Sequence, residues 1–598
     1  MKRNTLRTRV LLFLFSFTLI LNGTISAQAL KLKIIETSDV HGAVFPYDFK
    51  NDRQASTSLA QAYSYIKQER KNGQQEVVLL DNGDILQGQP VVYYYNFEKT
   101  NVPHILSEVM NFMQYDAATI GNHDIEAGHP VYDRINKEFK FPWMAANAVD
   151  RKSGQPYFRP YTVINRKGVK IAVLGLITPA IPNWLPEKIW AGMAFEDMIK
   201  SAEKWVKIIK ETEKPDVLIG LFHSGVEYDY NNQSAETPKN ENASRLVAER
   251  VKGFDAIFTG HDHKVWNLTL KDPSGSDVLL LGPNNDSRTV AVANLSLNYN
   301  KESKRWEKQS AAGEIVEIRS FKPDDEFMQN FTPAMNEVKQ YVSEPIGNFT
   351  ETISTRQSLF GDSPFMDLIH SIQLEMTGAD VSFAAPLSFD TKIDKGEIYV
   401  RDMFKLYKFE NLLYTMEMTG REIKGFLEHS YSLWFNQMKS GDDHLINFKL
   451  DKDGNPSRNE RDNSYELKAQ YYNFDCAAGI KYTVDVSKPV GERVTIISMS
   501  DGTPFDLNKK YKAAVNSYRG NGGGGHLTEG AKIPKDELPG RIITSTDKDL
   551  RFYLMKWIEK NKTVTPKAFG NWQVIPTEWW QKGKEKDFKL LFPNGKNS

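Results

Sequence analysis

Five short clusters of His, Asp and Asn carry the chemistry this chain could perform: Ser38-Asp39-Val40-His41-Gly42, Asp81-Asn82-Gly83-Asp84, Gly121-Asn122-His123-Asp124, His223-Ser224-Gly225 and Gly260-His261-Asp262-His263. Asp39, His41, Asp84, Asn122, His223, His261 and His263 make a carboxylate, imidazole and amide donor set without sulfur, which suits Zn, Mn or Fe in a hydrolytic site. Two cations about 3.5–4 Å apart need one bridging carboxylate and several further donors each. This set supplies that number, and Asp84 is the natural bridge. His41 and His263 each stand two residues from Asp39 and His261, so in extended backbone each pair points the same way. Any one cluster alone is commonplace, because a single His at a strand end is more often a hydrogen-bonded structural residue and Asn-His-Asp a turn or cap. Five of the chain's 11 histidines fall inside these clusters, and that combination is hard to obtain by chance.

Each cluster follows an apolar run that reads as a buried strand: Leu32 to Ile35, Val77 to Leu80, Ala117 to Ile120, Val217 to Phe222 and Ala256 to Thr259. Between them lie stretches of helical periodicity, such as Ser58 to Lys71, Val102 to Met113 and Phe195 to Lys210. This alternation predicts an α/β layered domain whose ligands sit beyond the carboxyl ends of its strands, where the clusters fall. A helical pattern from Lys322 to Tyr341 marks a connector, so the expected organisation is a catalytic domain over 30–320, a linker helix over 321–343, a second domain over 344–570 and a Trp- and Lys-rich tail over 571–598. No repeat of fixed period is present.

The chain has 598 residues, 40% of them hydrophobic and 25% charged, which excludes collagen-like, coiled-coil and wholly disordered classes. Residues 1–27 read as a secretory signal: four bases (Lys2, Arg3, Arg7, Arg9), no acid, an apolar run from Val10 to Leu21, and small residues at Ser26-Ala27. That run is too short for a membrane span of about 20 residues, although an uncleaved anchor is the competing reading. Without the leader, 72 bases face 76 acids, which disfavours duplex DNA or RNA as a partner and favours a small-molecule substrate. Export to a periplasm or beyond the cell follows from the leader. Cys476 is the only cysteine, so no intramolecular disulfide forms and a buried structural thiol is expected. Asp451, Asp453, Asn455 and Asp462 superficially resemble a calcium loop, but Pro456 stands where such a loop needs Gly. Oligomeric state is not legible.

From about residue 30 to about 565 the chain resembles the secreted calcineurin-like metallophosphatases of the bacterial 5′-nucleotidase and 2′,3′-cyclic-nucleotide 2′-phosphodiesterase group, on the strength of the five clusters. The resemblance implies a four-layered αββα metallophosphatase domain followed by a smaller α+β 5′-nucleotidase-type C-terminal domain. It implies two divalent metal ions (Zn, Mn or similar), the first held by Asp39, His41, Asp84 and His263 and the second by Asp84, Asn122, His223 and His261. His123 would stabilise the transition state or protonate the leaving oxygen. The family's 5′-nucleotidases orient that His with an Asp three residues on; here Glu126 takes that place, with Asp124 the alternative partner.

The second half resembles the family's specificity domain in Tyr407-Lys408-Phe409-Glu410-Asn411 and Asn516-Ser517-Tyr518-Arg519-Gly520. By resemblance Phe409 and Tyr518 would sandwich a nucleobase, with Asn411 and Arg519 as further substrate contacts. Stacking of this kind is worth about 1–3 kcal/mol per base. Ser388-Phe389-Asp390 stands where the family's 5′-nucleotidases carry an Arg, and Tyr518-Arg519 is more like the cyclic-nucleotide branch, which favours 2′,3′-cyclic or 3′-nucleotides as substrates. Nucleotide sugars or sulfur esters cleaved by the same metals, and a nucleotide-binding surface protein without catalysis, are the alternatives.

Overall fold

The computed structural model describes residues 29–230, 233–459 and 463–593; the leader read over 1–27 and Asp462 lie outside them. The strands of the first half's two large sheets are β1 (Ala29–Thr37), β2 (Gln75–Asp81), β3 (Ala117–Thr119), β4 (Trp143–Met144), β5 (Tyr161–Arg166) and β6 (Val169–Ile177). They continue with β7 (Val217–His223), β8 (Ala256–Thr259), β9 (Trp266–Lys271), β10 (Asp277–Gly282), β11 (Thr289–Asn300) and β12 (Arg305–Glu317). One sheet runs β12-β11-β1-β2-β3-β4 and the other β9-β10-β8-β7-β6-β5.

Successive strand residues point to opposite faces, and here both faces are covered. Ile34, Val78 and Leu80 bury between the sheets against Ile219 and Leu281, while Ile35, Val77 and Leu79 bury outward under α1 (Leu59–Lys71) and α2 (Ile105–Met113). On the far side α3 (Met198–Thr212) and α4 (Ser244–Arg250) cover the second sheet through Ala202, Val206 and Val247. The result is four layers, α-β-β-α, and it explains the continuous apolar runs, since a strand buried on both faces shows no alternation.

The helix α5 (Asp325–Val342) starts at Asp324, whose carboxylate accepts from Phe327 N at 3.0 Å. Phe327, Phe331, Met335, Val338 and Val342 follow a helical spacing and join the core under the first sheet, so the connector is part of the first domain's outer layer. The second domain centres on a five-stranded sheet in the order Cys476–Ala478, Val381–Ala384, Lys510–Asn516, Leu412–Thr419, Ile542–Asp549.

The segment expected to be a tail is built into that domain. Trp572–Ile575 pairs in parallel with Ile480–Asp485, and the helix Thr577–Leu591 buries Asp587, which accepts from Leu445 N and Ile446 N at 2.8 Å each. Asp451 closes its own turn by accepting from Asp453 N and Asn455 N at 2.9 Å, as an Asx turn does. Cys476 is buried, with Sγ 3.4 Å from His370 Nε2. Among the described residues no helix is long and apolar enough to cross a membrane.

Candidate metal centre and substrate cleft

β1, β2 and β3 lie side by side and parallel, with Thr37 opposite Asp81 and Asp81 opposite Ala118. β7 and β8 are likewise parallel neighbours, with Phe222 opposite Thr259. All five strands end at one edge of the sandwich, so the loops carrying Asp39 and His41, Asp84, Asn122 and His123, His223, and His261 and His263 meet there. The ligand-type atoms of Asp39, His41, Asp84 and His263 lie within 4.8 Å of one another, as do those of Asp84, His223 and His261. Asp84 belongs to both groups. The Asn122 amide joins the second, with its Oδ1 3.1 Å from His223 Nε2 and 2.7 Å from His261 Nδ1.

Second contacts fix the imidazoles. His41 Nδ1 faces Gln87 O at 2.9 Å and His223 Nδ1 faces Asn82 O at 2.6 Å. A carbonyl only accepts, so both rings carry a proton on Nδ1 and turn Nε2 inward, bare in His41, whose ring burial keeps neutral. The bare Nε2 of His41 sits 3.0 Å from His263 Nε2, a meeting of donor atoms that suits a divalent cation beside them. Asp39, His41, Asp84, His261 and His263 all have positive φ, between 47° and 77°. Each such residue costs of order 1–3 kcal/mol, and the loops are held against it by Asp39 N→Gly83 O and His41 N→Asp84 O at 2.9 Å. A Cβ at Gly121 would come within 2.2 Å of Asp84 Oδ1, so glycine there is what lets the bridging carboxylate lie against the backbone.

The two candidate partners of His123 separate cleanly. His123 Nδ1 is 2.5 Å from Glu126 Oε2, one turn along the same short helix. Asp124 instead accepts from Gly121 N at 2.7 Å, Asp84 N at 2.9 Å, Ile85 N at 2.9 Å and Leu86 N at 3.0 Å. The expectation that Asp124 could serve His123 is therefore corrected: its oxygens are spent on the loop that carries Asp84. Burial alone would lower the His123 pKa, but the Asp84 and Glu126 carboxylates outweigh it and push it up to about 9.

Between the domains lies a cleft of about 540 Å³. Asn122, His123, His261 and His263 line it from the first domain, and Phe409, Asn411 and Tyr518 from the second. The Phe409 ring is parallel to that of His123 (8° between planes, centroids 6.4 Å apart). Asn411 Nδ2 lies 3.4 Å from Tyr407 Oη. A Cβ at Gly523 would come within 2.6 Å of the Tyr518 ring, so the glycine run makes room for that side chain.

Arg519 does not face the cleft, contrary to its expected role as a substrate contact. Its side chain is 2% exposed. Nε and Nη2 donate to Asp475 Oδ2 at 3.0 and 2.6 Å, Nη2 also to Tyr472 O at 2.6 Å, and Nη1 to Asn473 Oδ1 and Gly523 O at 3.1 Å each. It braces the loops that present Tyr472 and Tyr518.

Trp184, Glu241, Lys408 and Tyr472 are among the cleft residues that the sequence reading did not assign to the site. Glu241 Oε1 is 3.2 Å from His261 Nε2, and the Trp184 ring stacks on the same histidine at 5.6 Å and 26°. Glu241 and Trp184 lie in loops without periodicity, so no pattern marked them. Lys408 sits inside a stretch that was singled out, for its neighbours.

A four-layered α/β sandwich with carboxylate, imidazole and amide donors converging at its strand ends defines a metallophosphoesterase-type hydrolase. Residues 32–265 match the calcineurin-like phosphoesterases and residues 345–529 match the 5′-nucleotidase, C-terminal domain. It is 27% identical over 613 residues to the trifunctional nucleotide phosphoesterase protein YfkN of Bacillus subtilis (strain 168), covering 92% of this chain but 39% of that protein. It is 26% identical to the 2′,3′-cyclic-nucleotide 2′-phosphodiesterase/3′-nucleotidase of Salmonella typhimurium, covering 94% of this chain and 92% of the relative. In fold it is similar to the crystal structure of a candidate 5′-nucleotidase from Staphylococcus aureus in complex with alpha-ketoglutarate (TM-score 0.73, 21% identity, 91% of this chain and 99% of that one).

Proposed function

We propose that the protein is an exported, two-metal nucleotide phosphohydrolase that acts on 2′,3′-cyclic and 3′-nucleotides. One observation carries the reading: the donor cluster and the aromatic pair Phe409 and Tyr518 line the same cleft from opposite domains. The named activity of the Salmonella relative, matched along nearly the whole of both chains, supports the same substrate class. Export rests on the leader composition alone.

Asp39, His41, Asp84 and His263 would hold one cation and Asp84, Asn122, His223 and His261 the other. Divalent ions there supply positive charge for the phosphoryl oxygens and activate water at neutral pH. Glu126 holds the Nδ1 proton of His123, so Nε2 is the atom that gives a proton to the leaving oxygen. Phe409 and Tyr518 take the base, and docking of the second domain over the cluster excludes water.

The test is hydrolysis of a panel of 5′-, 3′- and 2′,3′-cyclic mononucleotides by the Mn²⁺- or Zn²⁺-loaded protein, with products resolved chromatographically. Turnover of the cyclic and 3′ isomers that is lost in Asp84→Asn is the expected result. No turnover of any nucleotide by metal-loaded protein would overturn the reading.

A further inference from the structure

Two lysines line the cleft, and they differ in partners. Lys264 Nζ is bound to Glu227 Oε2. Lys408, from the second domain, has no carboxylate or hydrogen-bond acceptor on its Nζ among the described residues; the ammonium lies over the Phe409 ring, 5.4 Å from its centroid. Asp286 is the one acid that acts on it, from beyond ion-pair range, and burial lowers its pKa. A half-desolvated ammonium with no acid within ion-pair range is unfavourable, so the fold holds a cation there that an anion can complete.

Its position is fixed by the backbone. Lys408 O accepts from Arg551 Nη2 at 2.6 Å and from Gln87 Nε2 at 3.4 Å. Gln87 O in turn faces His41 Nδ1 at 2.9 Å, so one residue separates Lys408 from the donor cluster. Arg519, which the sequence suggested as a substrate contact, is consumed by Asp475 and backbone carbonyls.

We propose that Lys408 is a phosphate-binding residue: its ammonium takes a non-bridging phosphate oxygen while the adjacent Phe409 takes the base, so one short loop of the second domain reads both ends of the nucleotide. This rests on the nucleotide reading above. The competing role for Lys408 is mechanical support of the Phe409 ring, and the two roles differ in what removal of the charge does to a ligand that has no phosphate.

The experiment is calorimetric binding of adenosine and of the non-hydrolysable phosphonate analogue of 3′-AMP to the metal-loaded protein, in wild type, Lys408→Met and Lys408→Arg. Methionine keeps an unbranched stem against Phe409 and removes the charge. The phosphonate Kd should rise about 10- to 100-fold in Lys408→Met, the loss of one charged hydrogen bond. Adenosine affinity should stay within twofold, and Lys408→Arg should recover most of the phosphonate binding. Equal weakening of both ligands in Lys408→Met, or no weakening of the phosphonate, overturns the assignment. If wild type binds neither ligand, the nucleotide reading falls, and the subsite with it.

Discussion

Replacing Arg519 with methionine should destabilise the second domain without touching the metal cluster. The guanidinium makes five hydrogen bonds, two of them to Asp475 Oδ2 and the others to Tyr472 O, Asn473 Oδ1 and Gly523 O. Arg519 and Asp475 side chains are 2% and 1% exposed. Methionine fills part of the space but leaves the Asp475 carboxylate facing only His526 Nε2, at 3.4 Å, on a ring whose pKa burial holds well below its ordinary value. Stranding a buried charge in this way costs about 3–5 kcal/mol. Denaturant unfolding of wild type and Arg519→Met, followed by tryptophan fluorescence, reads the loss, with metal binding as a control on the first domain. The double change Arg519→Met with Asp475→Leu should recover much of it, because removing both partners of a buried pair is far cheaper than removing one. An unchanged unfolding midpoint combined with a raised KM for nucleotides would refute the reasoning and return Arg519 to the substrate.

Glu126→Gln should lower kcat about 100-fold with metal content intact, since it loosens the base-and-acid geometry of His123, whereas Asp124→Asn should cost about 1–3 kcal/mol of stability by weakening the amide cradle under Asp84; rates and melts on the two variants separate them. Glu241→Gln should weaken binding of one of two Mn²⁺ ions about 10- to 100-fold, because the carboxylate that orients His261 is lost, and titration calorimetry would detect unequal sites where wild type binds both tightly. His370 is buried, which pushes its pKa down to about 3. The unfolded chain takes up that proton near pH 6.5, so stability is full above about 6.5 and falls by about 1.4 kcal/mol per pH unit on acidification towards 3. Unfolding at pH 7 and pH 5, in wild type and His370→Gln, should show a shallower loss in the variant.

The site was legible for a physical reason. Parallel strands buried on both faces give unbroken apolar runs, and their carboxyl ends gather whatever polar residues follow, so Asp39, His41, Asp84, Asn122, His123, His223, His261 and His263 could be read as one set. The partner of His123 was not legible, because a sequence offers Asp124 and Glu126 equally; helix geometry decides, placing the i+3 residue on the same side as His123 and turning the i+1 residue away. Arg519 was misplaced because its partner Asp475 lies 44 residues away, and the pairing exists only in the folded sheet. The Trp- and Lys-rich end read as a tail for a similar reason: Asp587 is buried by Leu445 and Ile446, more than 140 residues earlier, and nothing local announces that contact.

The proposed mechanism requires two cations that share Asp84 and act together. Metal-free protein titrated with Mn²⁺, with bound ions counted and hydrolysis of a 2′,3′-cyclic nucleotide followed in the same samples, tests it most directly. Two ions per chain should bind, with activity absent until the second site fills and abolished in Asp84→Asn. Full activity with one ion per chain, or activity that persists in chelator, would contradict the claim.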